Sequence, residues 1–429
     1  MDIASQLQRR RAALARAWNL DDEVVLIGAG DPIHIPGRAD LTYPFRAHSE
    51  YFYLTDDNGP GGVLAFDPQE GWVHFVPAIT EADRLWSGAP DGELDGPTTD
   101  DLAGWLAARA GRPLAWLGAA PGDAGGDAER ATQRGAELRF ALNDARRPKD
   151  AVELERMRAA QRATREAFAT AVPLLREGVS EREVQIELEA AALRAGGDAM
   201  AYDTIIGGGP NSAVLHFLPT PRRFATGELV LIDAGAEVSF YASDITRTYP
   251  VGGRLDPEQA ELHALVKAAE LAAIERCTPG TEWRDVHRTA ALTIAEGLVA
   301  HGVLRGDPES LVQSGATFLF FPHGVGHMVG LGVRDAAGPL ASRRHDPPPF
   351  PNLRIDLPLQ TGMTVTVEPG IYFVPALLNA PERRRRHRDE VDWDRVDRLL
   401  GFGGIRIEDN VLVTEAEPEV ITADVPVLG

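Results

Sequence analysis

A single cysteine, Cys277, occurs among the 429 residues. That excludes an intramolecular disulfide and suits a reducing compartment. No stretch approaches the ~18 consecutive apolar residues that a membrane-spanning helix needs. Positive charge is also short: 43 Lys and Arg stand against 64 Asp and Glu, for a net charge of −21. Nucleic acid is therefore not expected as a general partner. The opening segment, MDIASQLQRRRAALARAWNL, lacks an unbroken apolar region and a small-residue cleavage site, so it reads as a structural amphipathic helix. The expectation is an acidic, cytoplasmic protein without membrane or nucleic-acid partners, long enough for two domains. One run departs from the acidic average: the arginines at 383–386, in PERRRRHRDEVDWDRVDR. They read as part of a solvated insertion facing the acids that follow.

Residues 1–147 alternate short apolar runs with turns. EVVLI (23–27), GVLAF (62–66), WVHFV (72–76) and PLAWLG (113–118) have strand character. TTDDLAGWLAARAG predicts a capped helix, and PGDAGGDAERATQRG (121–135) reads as a polar loop. ARRPKD (145–150) marks a boundary, with a second domain over 148–429. There Asp150 caps a helix that should fail near Pro173, and Ser180 with Glu183 forms a capping box. Strand-like GELVLIDAGAEV and ASDITRTYPV follow, then helices starting at Asp256 and near Thr281. The chain closes on HGVGH and two strand regions, TGMTVTVEPGIYF and GFGGIRIEDNVLVT. Paired helices followed by paired strands thus occur twice, which predicts two similar halves meeting at their strands.

Five candidate metal ligands punctuate this second region: Asp233 in LIDAG, Asp244 in SDITRTY, His327 in HGVGH, Glu368 in TVEPGIY and Glu408 in GIRIEDN. An antiparallel pairing would bring Asp233 and Asp244 together across their turn. Acids flanking a turn are often mere turn formers, but a carboxylate beside a buried strand is costly without a partner. His323 and His327 stand at i and i+4, and the glycines between them favour a loop over a helix. Alternation puts Arg406 and Glu408 on one face, where a salt bridge is the plainer reading. Four carboxylates and one imidazole form an oxygen-rich set suited to hard divalent ions. Four negative charges call for two such ions, the composition of a two-metal hydrolytic centre.

These motifs, in this order, resemble those of the pita-bread metallopeptidases that include prolidases, aminopeptidases P and methionine aminopeptidases. The resemblance covers nearly the whole chain, and YPFRAHSEYFYLTDDNGPGGVLAF resembles the accessory domain of the first two groups. It implies an α+β fold: a pita-bread catalytic domain of two pseudo-symmetric halves behind a smaller α/β N-terminal domain. It also implies that Asp233 binds one metal, Asp244 and Glu408 bridge both, and His327 and Glu368 complete the other. All five ligands are present, so a metal-free relative such as creatinase is disfavoured. His216 in NSAVLHF and His323 match groups that bind substrate and stabilise the tetrahedral intermediate, and Tyr202 matches a tyrosine of prolidases. Glu368 would shuttle the proton to the proline nitrogen. Arg406 joins Tyr202, Arg334 and Arg354 as a substrate-binding candidate.

The implied activity is hydrolysis of the Xaa-Pro bond of dipeptides by a hydroxide held between two ions, manganese first with cobalt or zinc as alternatives. Arg354 supports the dipeptidase reading, since prolidases carry an arginine here that grips a dipeptide carboxylate. So does the long segment between Tyr372 and Gly403, which begins GIYFVPALL. Aminopeptidase P, acting on longer Xaa-Pro peptides, is the alternative, and a non-catalytic peptide or histone binder is the second. One position departs from the family: the usual VHD reads VRD, so Arg334 stands where histidine is expected. A homodimer is implied by the resemblance alone.

Overall fold

A computed structural model describes residues 2–38, 41–88, 96–119, 127–343 and 350–427. The chain divides into two compact units, Met1–Arg146 and Arg147–Gly429.

The first unit is built on a four-stranded sheet in the order Gly71–Phe75, Val63–Asp67, Val24–Gly28, Leu114–Gly118. Its last pair is parallel and the others antiparallel. All four lie where alternating apolar residues predict them, and Val24, Leu26, Ala65, Phe75 and Trp116 form the core. Asp67 is wholly buried and takes Arg109 Nε at 2.6 Å and Arg112 Nη1 at 2.9 Å.

One expectation fails here. The stretch read as a polar loop over 121–135 lies outside the described residues at 121–126, and from Asp127 onward it is helix, Asp127–Arg146. Gly135 misled the reading. A Cβ there would sit 1.7 Å from the Trp116 carbonyl oxygen, so this glycine lets the helix cross the strand closely and does not turn the chain.

The second unit contains the two passages expected. Ala151–Ala171 starts at Asp150, whose side chain accepts from the N–H groups of Val152 and Glu153, and it tightens into a 3₁₀ turn through Pro173. Glu181–Arg194 starts at the Ser180–Glu183 box, with both reciprocal bonds formed. These helices pack on the antiparallel strands Ile205–Gly208, Leu229–Ala234 and Ile245–Pro250 through Ala163, Phe168, Leu188, Ile206, Val230 and Ile232. In the second passage, Pro257–Glu275 and Trp283–Ala300 share a core with Thr364–Val367, Gly404–Arg406 and Asp409–Leu412. Three short helices, Pro375–Leu378, Pro381–Arg386 and Trp393–Leu399, fill the insertion and hold the arginine run. Among the described residues no helix is long and apolar enough to cross a membrane.

Candidate metal centre

Strand alternation aims the first acid. Along Leu229–Ala234, Val230, Ile232 and Ala234 join the helix-side core, while Leu231 packs with Ile205 and Tyr372 on the other face. Asp233 shares the Leu231 face. It lies opposite Thr246 in the register, so Asp244, just before Ile245–Pro250, comes alongside it. Glu408 sits between Gly404–Arg406 and Asp409–Leu412 and bridges back to the first half. Its N–H donates to the Thr246 carbonyl at 3.0 Å, and Thr246 Oγ1 donates to Glu408 Oε2 at 2.6 Å. Glu368 follows Thr364–Val367, and its N–H donates to the Val325 carbonyl at 2.8 Å. His327 lies in a loop, as its glycines suggest, tied to Thr366 in both directions: its N–H donates to Thr366 Oγ1 at 3.1 Å, and its carbonyl accepts from Thr366 N–H at 2.8 Å. Any side chain on Gly326 would meet the Thr366 carbonyl at 1.9 Å, so only glycine allows that approach.

These acids and His327 line one cavity of about 640 Å³, together with Tyr202, His216, His323, Arg334, Arg354 and Arg406. Asp244, His327 and Glu408 are buried, and each offers a ligand atom within 4.8 Å of the other two. His327 Nδ1 lies 3.0 Å from the Met328 carbonyl, so it carries the proton and Nε2 is left with a lone pair. That Nε2 faces Asp244 Oδ2 at 3.4 Å and Glu368 Oε1 at 3.8 Å. Burial, with Arg334 adding to it, pushes the His327 imidazole down to about 3, so it stays neutral.

The carboxylates are forced the other way. Burial first and then Asp233 raise Asp244, while burial, Asp244 and Glu368 raise Glu408. Glu368 is pushed up to about 7, chiefly by burial and against the pull of Arg406. A neutral imidazole lone pair among crowded, desolvated carboxylate oxygens is an arrangement that divalent cations complete, and the donor set fits them.

The substrate candidates divide into two groups. His216, Arg334 and Arg354 are exposed in the cavity and make no side-chain hydrogen bond or ion pair among the described residues. Tyr202 and Arg406 are turned inward instead. The Tyr202 hydroxyl lies 2.7 Å from Asp233 Oδ1 and 2.6 Å from Asp244 Oδ1. Arg406, 3% exposed, gives Nη2 to Asp233 Oδ2 at 2.5 Å, Nη1 to Tyr372 Oη at 3.0 Å and Nε to Thr246 Oγ1 at 3.1 Å. It compensates the acids, with the expected Glu408 contact stretched to 4.0 Å.

Tyr372 escaped the sequence reading although it stands in the EPGIY motif. Its hydroxyl lies 2.9 Å from His323 Nε2, while His323 Nδ1 bonds the Gly324 carbonyl at 2.9 Å. Asn410 and Arg247, which tie the two halves together, also escaped it.

A buried acid–imidazole cluster at the seam of two helix-and-strand halves defines the class: a metal-dependent hydrolase. The chain belongs to metallopeptidase family M24, whose model matches residues 155–415, and the aminopeptidase P N-terminal domain matches residues 7–96. Membership of this family brings divalent metal ions with it. Among curated proteins, the probable Xaa-Pro aminopeptidase of Metarhizium robertsii is 30% identical, covering 91% of this chain and 87% of that protein. The corresponding protein of Paracoccidioides brasiliensis is also 30% identical, over 96% and 92%. Aminopeptidase PepP from Pseudomonas aeruginosa superposes with a TM-score of 0.80 at 29% identity, covering 99% of this chain and 96% of that one. Zinc-substituted Escherichia coli aminopeptidase P, solved with product, gives 0.80 at 27% identity over the same shares. These relatives favour the aminopeptidase alternative over the dipeptidase reading drawn from Arg354 and the insertion.

Proposed function

We propose that this protein is a Xaa-Pro aminopeptidase working with two divalent ions, manganese first, held by Asp233, Asp244, His327, Glu368 and Glu408. The carrying observation is the convergence of four carboxylates and a neutral imidazole in one cavity against a single buried cation, Arg406. Bound ions would polarise the scissile carbonyl and acidify a water.

The chain's own groups do the rest. Glu368, raised by burial and flanked by His327 and His323, takes a proton from the attacking water and passes it to the proline nitrogen as the C–N bond breaks. That nitrogen is a tertiary amide without N–H, so it must be protonated as it leaves. His216, with its ring unengaged in the cavity, donates to the oxygen on which charge develops. Tyr202 and Arg406 hold the Asp233 carboxylate in place. Arg334 and Arg354 supply fixed positive charge for a peptide carboxylate.

A second reading, the dipeptidase, is favoured by the unengaged guanidinium of Arg354 in the same cavity. Hydrolysis of Ala-Pro and of Ala-Pro-Ala by the manganese-loaded full chain decides between them. A higher kcat/KM for the tripeptide supports the aminopeptidase, and preference for the dipeptide supports the second reading. Cleavage of neither by chain shown to contain metal would overturn both.

A further inference from the structure

The arginine run at 383–386 takes no part in the chemistry above, yet it is only partly given over to solvent. In the helix Pro381–Arg386, Arg384 turns to the Asp397 carboxylate and lies 4.7 Å over the Trp393 ring. Arg383 and Arg386, one turn apart on a common face, line a second cavity of about 670 Å³. It lies behind the HGVGH segment and rivals the first in size. Phe321, on its wall, packs against the His323 ring at 5.0 Å. His287, also on its wall, accepts the Val325 N–H on Nδ1 at 3.1 Å.

The chemistry of this cavity is two-sided. Phe318, Phe321 and Phe350 give it aromatic walls. At the polar side, Arg288 is satisfied by Glu309, and His387 Nδ1 is hydrogen-bonded with Glu390. Arg383 and Arg386 have no carboxylate within ion-pair distance among the described residues. Arg386 makes one hydrogen bond among the described residues, to the Ser314 carbonyl at 3.1 Å, and its charge is felt by Glu390 beyond ion-pair distance. Arg383 Nη1 is buried with no hydrogen-bond partner, and so is the Oγ1 of Thr317, itself 3% exposed. Two buried donors left unmade on one cavity wall are costly, each by the desolvation of its group. An acceptor carrying negative charge would pair with Arg383 and match the fork of its guanidinium.

The geometry points to a second ligand site here, for a carboxylate attached to an apolar or aromatic body of amino-acid to dipeptide size. A cavity of this volume is typical of small-molecule sites, which are mostly apolar with a few convergent polar groups. A bare inorganic anion would leave the phenylalanine walls unused, and a neutral apolar molecule would leave Arg383 unpaired.

The test uses the metal-loaded full chain and N-acetyl-L-phenylalanine as probe, with N-acetyl-L-phenylalaninamide as its uncharged counterpart, followed by calorimetry. We expect saturable binding of one acid per chain and at least about tenfold weaker binding of the amide, as loss of a charge-assisted bond implies. Arg383→Met should weaken the acid by a similar factor. Arg386→Met, at an exposed position where folding is not at stake, should weaken it less but measurably. Both variants should keep wild-type metal content and Xaa-Pro hydrolysis. Arg354→Ala should leave acid binding unchanged. The inference is overturned if the acid does not saturate, if acid and amide bind alike, or if inorganic phosphate binds as well as the acid. It is also overturned if binding falls with Arg354→Ala while both cavity variants retain it, which would place the probe in the first cavity.

Discussion

Replacing Asn410 with leucine tests how the two halves hold their ligands in register. Asn410 is 2% exposed, and its amide mimics a strand neighbour of Asp244. Its Oδ1 accepts the Asp244 N–H at 3.0 Å, and its Nδ2 donates to the Asp244 carbonyl at 2.7 Å. Leucine is close in volume and offers neither group, so Asn410→Leu strands one buried donor and one buried acceptor. Each costs about 1–3 kcal/mol, so the pair should cost about 2–6 kcal/mol less whatever relaxation recovers. Because Asp244 carries a proposed ligand, the loss should divide between the fold and the metal, every 1.4 kcal/mol of the latter being about tenfold in affinity. Urea unfolding of the Arg147–Gly429 unit without metal measures the first share, and manganese titration the second. A combined loss below about 1 kcal/mol would refute the reasoning, because the backbone of Asp244 would then need no partner in the other half. A wild type that binds no metal would instead count against the metal centre itself.

Four further outcomes are expected. Asp244→Ala or Glu408→Ala should abolish peptide hydrolysis and lower metal stoichiometry while circular dichroism stays native, and either variant hydrolysing at the wild-type rate refutes the ligand assignment. His216→Ala and His323→Ala should each lower kcat by about 10²–10³ with metal content unchanged, and loss of an ion in either would show it to be a ligand. In the N-terminal unit, Arg112 and Arg109 hold the Asp67 carboxyl well below the usual carboxylate range. Its contribution to stability is therefore full above the unfolded value of about 3.9 and is lost as pH falls through the lower folded value; because Arg109 keeps Glu70 and Arg112 keeps Asp22, Asp67→Asn should cost about 1–3 kcal/mol in thermal unfolding at neutral pH, and a loss within error would refute the pairing. For specificity, Arg334→Ala and Arg354→Ala should each weaken hydrolysis of substrates whose carboxylate they share, and the double variant should lose less than the sum; strict additivity would show that they bind separate groups.

What could be read beforehand follows the range of each interaction. Helix starts at Asp150, Ser180 and Asp256 are written in adjacent residues, because a capping box closes within one turn. The first four strands announce themselves by alternation, and the five candidate ligands by the short motifs around them. The direction of Arg406 was not readable. Alternation put it beside Glu408, but Asp233, on a strand of the other half, takes its Nη2. Asn410 was equally silent, since its partner lies 166 positions away and an asparagine in a strand carries no local mark of that. Gly135 shows the converse fault: a glycine needed for a tertiary approach looked like a turn. The arginine run at 383–386 looked uniform because charge is all that composition reports, whereas a single helical turn sends Arg384 to Asp397 and Arg383 into a cavity.

The placement of the acids explains why the halves need so much polar stitching. Each half buries most of its apolar core against its own helices, and where Ile205 and Leu231 of one half pack on Tyr372 of the other, apolar contact crosses the seam; the mutual register rests on that contact together with the polar bonds. At that seam the four carboxylates repel one another, and Arg406 is the only buried cation among the residues lining the cavity. The opposing force is directional. Arg247, 1% exposed, donates from Nη1 to the carbonyls of Glu408 at 2.7 Å and Thr246 at 3.0 Å, and its Nη2 pairs with Asp409 at 2.7 Å. Thr248 Oγ1 donates to the Arg406 carbonyl at 3.0 Å, and Asn410 holds both backbone groups of Asp244. Hydrogen bonds of this kind, each tolerating only a few tenths of an ångström, set the separation of carboxylates that would otherwise spread. A centre that must present its oxygens at a fixed spacing before any cation arrives needs such a lattice of neutral and paired groups around it, since the acids alone would supply only repulsion.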